Sequence, residues 1–223
     1  MKNKIKCAVF DLDGTLVNTI DDLKISCDTV LKEYGRDYNW GVEDYKRFVG
    51  NGLKKLVERV FDHTLSEDEL ENAFRKTSAI YSEIKLDHAH PYDGIKEQLA
   101  LLKEKGIKLA VVTNKPEKAA KEMVYKLLGE NTFDFIAGAK DGVPHKPAPD
   151  STLGALKELG CTPDEAVYIG DSNVDMQTAR NANIKSIGVL WGFRSKQELE
   201  KENPYIIIDN PEKISKIIDE LNF

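Results

Sequence analysis

The chain is poor in cysteine, with only three, at Cys7, Cys27 and Cys161. They are odd in number, far apart and never in a CxxC pattern, which leaves them as ordinary thiols and fits a reducing cytoplasm. Long apolar runs are missing too: none approaches the roughly 18 residues of a membrane span. The lysine-rich start, Met1 to Lys6, has no apolar h-region, so no signal peptide is expected. Basic excess is absent, with a net charge of -6 and a pI near 5.4, which argues against non-specific nucleic-acid binding. There is no low-complexity segment and no repeat of fixed period.

What the chain does have is length and an ordinary soluble composition: 223 residues, 41% hydrophobic and 31% charged. That is enough to bury a core, as one domain with an insertion or as two small domains. Ile5 to Phe10 reads as a buried strand. Then the period changes. Ile20, Leu23, Cys27, Val30/Leu31 and Tyr34 recur at helical spacing, with Gly35 as a C-terminal cap. Val42, Tyr45, Phe48 and Val49 give a second helix, broken at Gly50-Asn51-Gly52, and Leu53, Leu56, Val57 and Val60 a third. Ser66 with Glu69 is a capping-box signal for a fourth. Residues 17–86 therefore read as an all-helical insert without a convincing strand.

Beyond Pro91 strands and helices alternate. Strands are expected at 107–112, 133–137, 166–169, 186–190 and 205–208. Helices are expected from Ile95 to Gly106, from Pro116 to Leu128 with Asn114 as a nearby cap, over Leu153–Leu159, over Val174–Ala182 and from Pro211 onward. The strands are too uniformly apolar for a half-exposed sheet, which predicts an α/β fold: a Rossmann-like parallel sheet with helices on both faces. Ligands on such sheets bind beyond the carboxyl ends of the strands.

The residues that follow the strands carry the chemistry. Strand one ends in Asp11 and Asp13, the strand at 107–112 in Thr113 and Asn114. The loop after 133–137 holds His145-Lys146-Pro147, and the strand at 166–169 ends in Asp171, with Asp175 one helical turn on. Each is weak alone: Asp11 and Asp13 suit a turn, Thr113 a helix cap, Lys146 a solvated surface, Asp171 a cap and Asp175 an exposed helix face. Together they set carboxylates, a hydroxyl and a lysine on one rim, a set suited to a divalent cation and a phosphate. Mg²⁺ takes oxygen ligands, and Asp11 and Asp171 are read as direct ligands, with Asp13 adding its carbonyl or side chain. A carboxylate there could attack phosphorus, its neighbour could move the proton, and Lys146 with Thr113 could balance the phosphoryl charge.

Asp11-Leu12-Asp13-Gly14-Thr15-Leu16-Val17-Asn18-Thr19, Val112-Thr113-Asn114-Lys115-Pro116, His145-Lys146-Pro147-Ala148-Pro149 and Gly170-Asp171-Ser172-Asn173-Val174-Asp175 resemble the four motifs of the haloacid dehalogenase superfamily, in the right order and end to end along the chain. The insert resembles that superfamily's small helical cap. Gly50-Asn51-Gly52 with Leu56 and Arg59, and Pro91-Tyr92-Asp93-Gly94, look most like its phosphoglycolate phosphatase branch. Asn18 departs from that branch, which usually carries an acid there. The resemblance implies a hydrolase core over 1–16 and 87–223 and a cap over 17–86. It implies Asp11 as nucleophile and metal ligand and Asp13 as general acid/base, lending its carbonyl to the metal. Thr113 and Asn114 would hold the phosphoryl oxygens, Lys146 would stabilise nucleophile and phosphate, and Asp171 would bind Mg²⁺ with Asp175 in support.

The reaction expected is Mg²⁺-dependent hydrolysis of a small phosphorylated metabolite in the cytoplasm, with neither nucleic acid nor membrane as partner, by a monomer or homodimer. A sugar-phosphate mutase, a pyrophosphatase or nucleotide phosphatase, and a non-catalytic binding module stand as alternatives. In the insert, Arg59 is either a solvated residue beside Lys54 and Lys55 or a contact to the substrate's anionic end. Gly50-Asn51-Gly52 reads as a helix-joining turn rather than a dinucleotide loop, lacking a preceding strand and a third glycine. His63, His88 and His90 show no metal spacing, and Trp191 reads as core edge.

Overall fold

Strand β1, Cys7–Phe10, is buried along its whole length, as a strand covered on both faces must be. The computed structural model describes residues 4–222, so the reading of Met1–Asn3 lies outside the described residues. Around β1 the chain builds a sheet from β4 (Lys108–Pro116), β5 (Phe135–Ala139), β6 (Ala166–Gly170), β7 (Lys185–Val189) and β8 (Ile206–Ile208). The order is β5-β4-β1-β6-β7-β8, and every pairing is parallel. The chain first winds outward from β1 through β4 to β5, then returns to β1's other side and winds away through β6. Such a reversal opens a crevice beyond the carboxyl ends of the strands.

Helices α5 (Ile95–Glu104), α6 (Glu117–Leu128), α7 (Asp150–Leu159), α8 (Asn173–Asn181), α9 (Lys196–Glu200) and α10 (Lys213–Leu221) link and cover the strands. Alternate strand residues serve alternate faces. Cys7, Val9, Ala110, Val112, Ala166 and Tyr168 pack with Ala155, Leu156 and Leu159 of α7 and Ala179 of α8 in one buried cluster. Phe10 belongs to the opposite set and meets Phe133 edge to face, centroids 6.2 Å apart.

This sheet and its helices form one compact unit, residues 1–17 and 91–223, and Asn18–His90 form a second. The second holds α1 (Ile20–Glu33), α2 (Val42–Phe48), α3 (Leu53–Val60) and α4 (Glu67–Ile84). Leu23, Cys27, Val30 and Leu31 of α1, Tyr45 of α2, Leu56, Val57 and Val60 of α3, and Ala73 and Tyr81 of α4 are buried. Tyr45 is fully buried, and its hydroxyl is satisfied by Asp28 Oδ1 at 2.6 Å. Ser66 and Glu69 close a reciprocal capping box at the start of α4.

Three local expectations change. Val17–Asn18 and His90–Pro91 are strands, β2 and β3, paired in a sheet of their own; two-residue strands leave no periodicity to read. The helix after Pro116 is not capped by Asn114, because β4 runs to Pro116 and no side chain caps α6. Helix α9 was not expected, although Ser195 and Glu198 form a capping box there, the same Ser-x-x-Glu spacing that marks α4.

Candidate active site

Asp11 is the first residue past β1, and its N–H donates to the Ile169 carbonyl of β6 at 3.0 Å. That bond fixes it at the lip between the two strands. The chain then turns through Gly14, at φ +88°, and the Leu16 and Val17 amides return to the Leu12 carbonyl at 3.0 Å. A Cβ at Gly14 would stand 2.4 Å from an Asp171 carboxylate oxygen, and one at Gly192 would stand 2.3 Å from Asp171 Cβ. Any larger residue at either position would displace the Asp171 side chain. Asp171 Oδ1 accepts from Thr15 Oγ1 at 2.9 Å and Oδ2 from the Phe193 amide at 2.8 Å.

Lys146 lies at the centre. Its buried ammonium is 2.8 Å from Asp11 Oδ1 and 2.7 Å from Asp175 Oδ1, and it donates to Tyr168 Oη at 3.2 Å. The lysine reaches there because Asn114 grips its backbone: the Lys146 amide donates to Asn114 Oδ1 at 2.9 Å, and Asn114 Nδ2 donates to the Lys146 carbonyl at 3.1 Å. Asp175 Oδ2 takes the Ser172 amide at 3.0 Å and the Ser172 hydroxyl at 2.6 Å. Helix α8 thus begins on a capping box whose acid also serves the lysine.

The second acid of the first motif has its own lysine. Lys115 Nζ donates to Asp13 Oδ1 at 2.8 Å and Oδ2 at 3.1 Å. Thr113 is buried, and its Oγ1 accepts the Lys115 amide at 3.2 Å.

Oxygens of Asp11, Asp171 and Asp175 all lie within 4.8 Å of one another, and all three residues are buried. Burial, then the charge of Asp175, push the Asp11 carboxyl up, with Lys146 opposing. Asp171 is raised by burial and Asp175 against the Phe193 amide and the Thr15 hydroxyl. Burial works against the Lys146 ammonium, yet Asp11 and Asp175 hold it well above the ordinary lysine value. Carboxylates are therefore crowded here, with Lys146 paired to two of them and the charge of Arg194 acting on Asp171. Among the described residues Asp11 Oδ1 is also buried without an aligned hydrogen-bond donor, despite the nearby ammonium.

Asp11, Lys146, Asp171 and Asp175 thus stand together, with Asn114 behind Lys146, and Asp13 and Thr113 each joined to Lys115. Arg59 lies in the helical unit, where its guanidinium donates to the Phe48 carbonyl at 2.6 Å and Asn51 Oδ1 at 2.8 Å. Several partners carried no role in the sequence reading: Lys115, Thr15, Tyr168, Ser172, the Phe193 amide and Tyr92. Burial raises the Tyr92 phenol, and Asp171 and Asp13 add to it. Lys115 had a signal, a cation directly after a strand-end Thr-Asn. The Phe193 amide had none, since backbone donors are invisible to residue type.

The family model for haloacid dehalogenase-like hydrolases matches residues 8–189. The phosphoglycolate phosphatase of Aquifex aeolicus is 32% identical over 96% of this chain and 97% of its own. A protein of Caldanaerobacter subterraneus provisionally named a pyrophosphatase is 36% identical over 96% of this chain and 95% of its own. Among solved structures, a haloacid dehalogenase-like hydrolase of Streptococcus pneumoniae superposes with a TM-score of 0.86 at 27% identity, covering 96% of this chain and 98% of that one.

Proposed function

This chain belongs to the haloacid dehalogenase-like hydrolases, and from that premise we propose that it is a Mg²⁺-dependent phosphatase acting on a small phosphomonoester of the phosphoglycolate kind through an aspartyl-phosphate on Asp11. The observation that carries this reading is the buried cluster of Asp11, Asp171 and Asp175 at the carboxyl ends of β1 and β6, with Lys146 paired to Asp11 and Asp175.

The residues fit a divalent cation. Three buried carboxylates lie together and only Asp11 and Asp175 pair with the Lys146 ammonium; Asp11 and Asp171 are pushed up by burial and the charge of Asp175, and Asp11 Oδ1 lacks an aligned donor among the described residues. The donor set is all oxygen, which suits Mg²⁺. Asp11, Asp171 and the Asp13 carbonyl would hold it. Asp175 would stand behind, because its oxygens already serve Lys146 and Ser172. Bound there, the ion would supply charge to neutralise the carboxylates and the phosphoryl oxygens.

The chain's own groups then divide the work. An Asp11 carboxylate oxygen attacks phosphorus; the new P–O bond forms as the bond to the leaving oxygen breaks. Asp13 gives its proton to that oxygen, so the alcohol leaves neutral. In the second half Asp13 takes a proton from water as the water oxygen attacks the phosphoryl group. The bond to Asp11 breaks and orthophosphate departs. Lys146 balances the charge on Asp11 and the phosphoryl oxygens, and Thr113 and Asn114 border the phosphoryl seat. We assign the cap role to the helical unit, with Arg59 as the residue for the substrate's anionic end.

Phosphate release by purified protein with Mg²⁺, across small phosphorylated acids, sugars, nucleotides and pyrophosphate, tests this. Phosphoglycolate-like acids should lead, with stoichiometric orthophosphate. Pyrophosphate leading would favour the second reading that the Caldanaerobacter relative raises. Phosphoryl return to a second hydroxyl without orthophosphate release would mark a mutase. No turnover of any of them would overturn the assignment.

A further inference from the structure

The first motif carries two acids, and each meets a different buried lysine: Asp11 meets Lys146 and Asp13 meets Lys115. The second pair is built with care. The Lys115 side chain is 4% exposed and that of Asp13 is 16%. The ammonium reaches both Asp13 oxygens, at 2.8 and 3.1 Å. A carboxylate gripped on both oxygens has little freedom to rotate.

The backbone that delivers Lys115 is irregular. In the β4–β5 pairing Val112 opposes Ala137, yet Pro116 opposes Ala139, so the register shifts between Val112 and Pro116. A register shift of this kind re-aims side chains, as β-bulges do beside active sites. The shift is braced from both sides. Thr113 Oγ1 accepts the Lys115 amide, and a Cβ at Gly138 would stand 2.6 Å from the Lys115 carbonyl. A regular strand would alternate through 113, 114 and 115 and offer no such brace. Stability alone gives little reason to keep the pair, since buried ion pairs are often no better than apolar packing.

We propose that Lys115 is a positioning residue that keeps hold of one Asp13 oxygen so that the other, once it carries the proton, faces the leaving-group oxygen, a task separate from the charge balance at Lys146. The inference rests on the reading of Asp13 as the group that protonates the leaving oxygen. A residue acting through that proton matters when the leaving group is a poor one. An alkoxide needs the proton, whereas 4-nitrophenolate departs without it.

The test compares kcat/KM, which reports the steps through leaving-group departure, for an alkyl phosphate and for 4-nitrophenyl phosphate. The proteins are wild type, Lys115→Met, Lys115→Arg, Asp13→Asn and the double variant Asp13→Asn/Lys115→Met, each checked for folding by its melting curve. Lys115→Met should lose about 100-fold on the alkyl phosphate, the lower end of general-acid effects, and under about threefold on the nitrophenyl ester, which draws little on that proton. Lys115→Arg should recover part of the loss, and Lys115→Met should add nothing in the Asp13→Asn background. Equal losses on both substrates, or none, with Asp13→Asn still sensitive to the leaving group, would overturn the role of Lys115 and leave Asp13's intact. An Asp13→Asn variant indifferent to the leaving group would instead overturn the assignment of Asp13, and the positioning role with it. Should Lys115→Met melt early, Lys115→Gln carries the same comparison with a neutral donor.

Discussion

Asp11 in the sheet unit and Asp22 in the helical unit are both buried aspartates, and their surroundings could hardly differ more. Asp22 is met by donors: the His88 amide at 3.1 and 3.2 Å, the Ala89 amide at 3.0 Å and His88 Nδ1 at 2.7 Å. Its charge is spent on holding the returning chain against the first turn of α1. Asp11 has one ammonium, no aligned donor on Oδ1 and two other carboxylates close by. Burial with full hydrogen bonding makes a structural acid. Burial with incomplete hydrogen bonding and like charges nearby makes an acid waiting for a cation or a reacting atom.

The sharpest way to break this contrast is Asp11→Asn. The amide keeps the shape and loses the nucleophile, so turnover should fall by roughly 10⁴-fold or more while circular dichroism and melting show a folded protein. Substantial residual activity would place Asp11 with Asp22 as a structural residue. Chelation comes next. EDTA should stop phosphate release and added Mg²⁺ restore it, and Mg²⁺ should raise the melting temperature through binding to the folded state. Metal-independent hydrolysis would leave the three close carboxylates unexplained.

Asp22→Asn should do the reverse of Asp11→Asn. Replacing one acceptor oxygen with a donor strands a buried amide, at a cost of about 2–3 kcal/mol, read from urea unfolding, while kcat/KM of the folded protein stays unchanged. The smallest effect is a pH dependence. The hydrogen bond to Asp22 raises His88 above its ordinary 6.5, with burial opposing and the charge of Asp22 adding to the rise. The folded state therefore binds the His88 proton more tightly than the unfolded chain does. The resulting stability is fully present below about 6.5, the unfolded value, and is lost as pH rises through the raised folded value. Wild type should exceed His88→Gln in stability at low pH, with the gap closing as pH rises. A gap independent of pH would mean that the ring's shape, not its charge, matters.

Much of the site was legible because parallel sheets concentrate function at strand ends. Asp11, Thr113, Asn114 and Asp171 each follow an apolar run, a position that made them candidates only when taken together. Lys146 was harder, lying in a loop whose course no periodicity reports, and its companions made the case for it. Asn114 shows the limit. A strand-end asparagine before a helix reads locally as a cap, yet its amide instead grips the backbone of a residue 32 positions on. Lys115 shows another. Its value lies in a register shift between β4 and β5, a property of two strands that neither one's sequence displays.

The sequence by itself determined the alternation of strand and helix, the helical segment after the first motif, and which acids follow the apolar runs at strand ends. Those follow from local physics: burial sets periodicity, and turn residues stop strands. Only the tertiary structure decided how the charges pair. It gave Lys146 to Asp11 and Asp175, and Lys115 to Asp13. It wedged Asp171 against two glycines and tied Asp22 to the returning chain at His88 and Ala89. Pairing depends on distances of a few ångströms between segments far apart in the chain, and residue order alone carries no such distance.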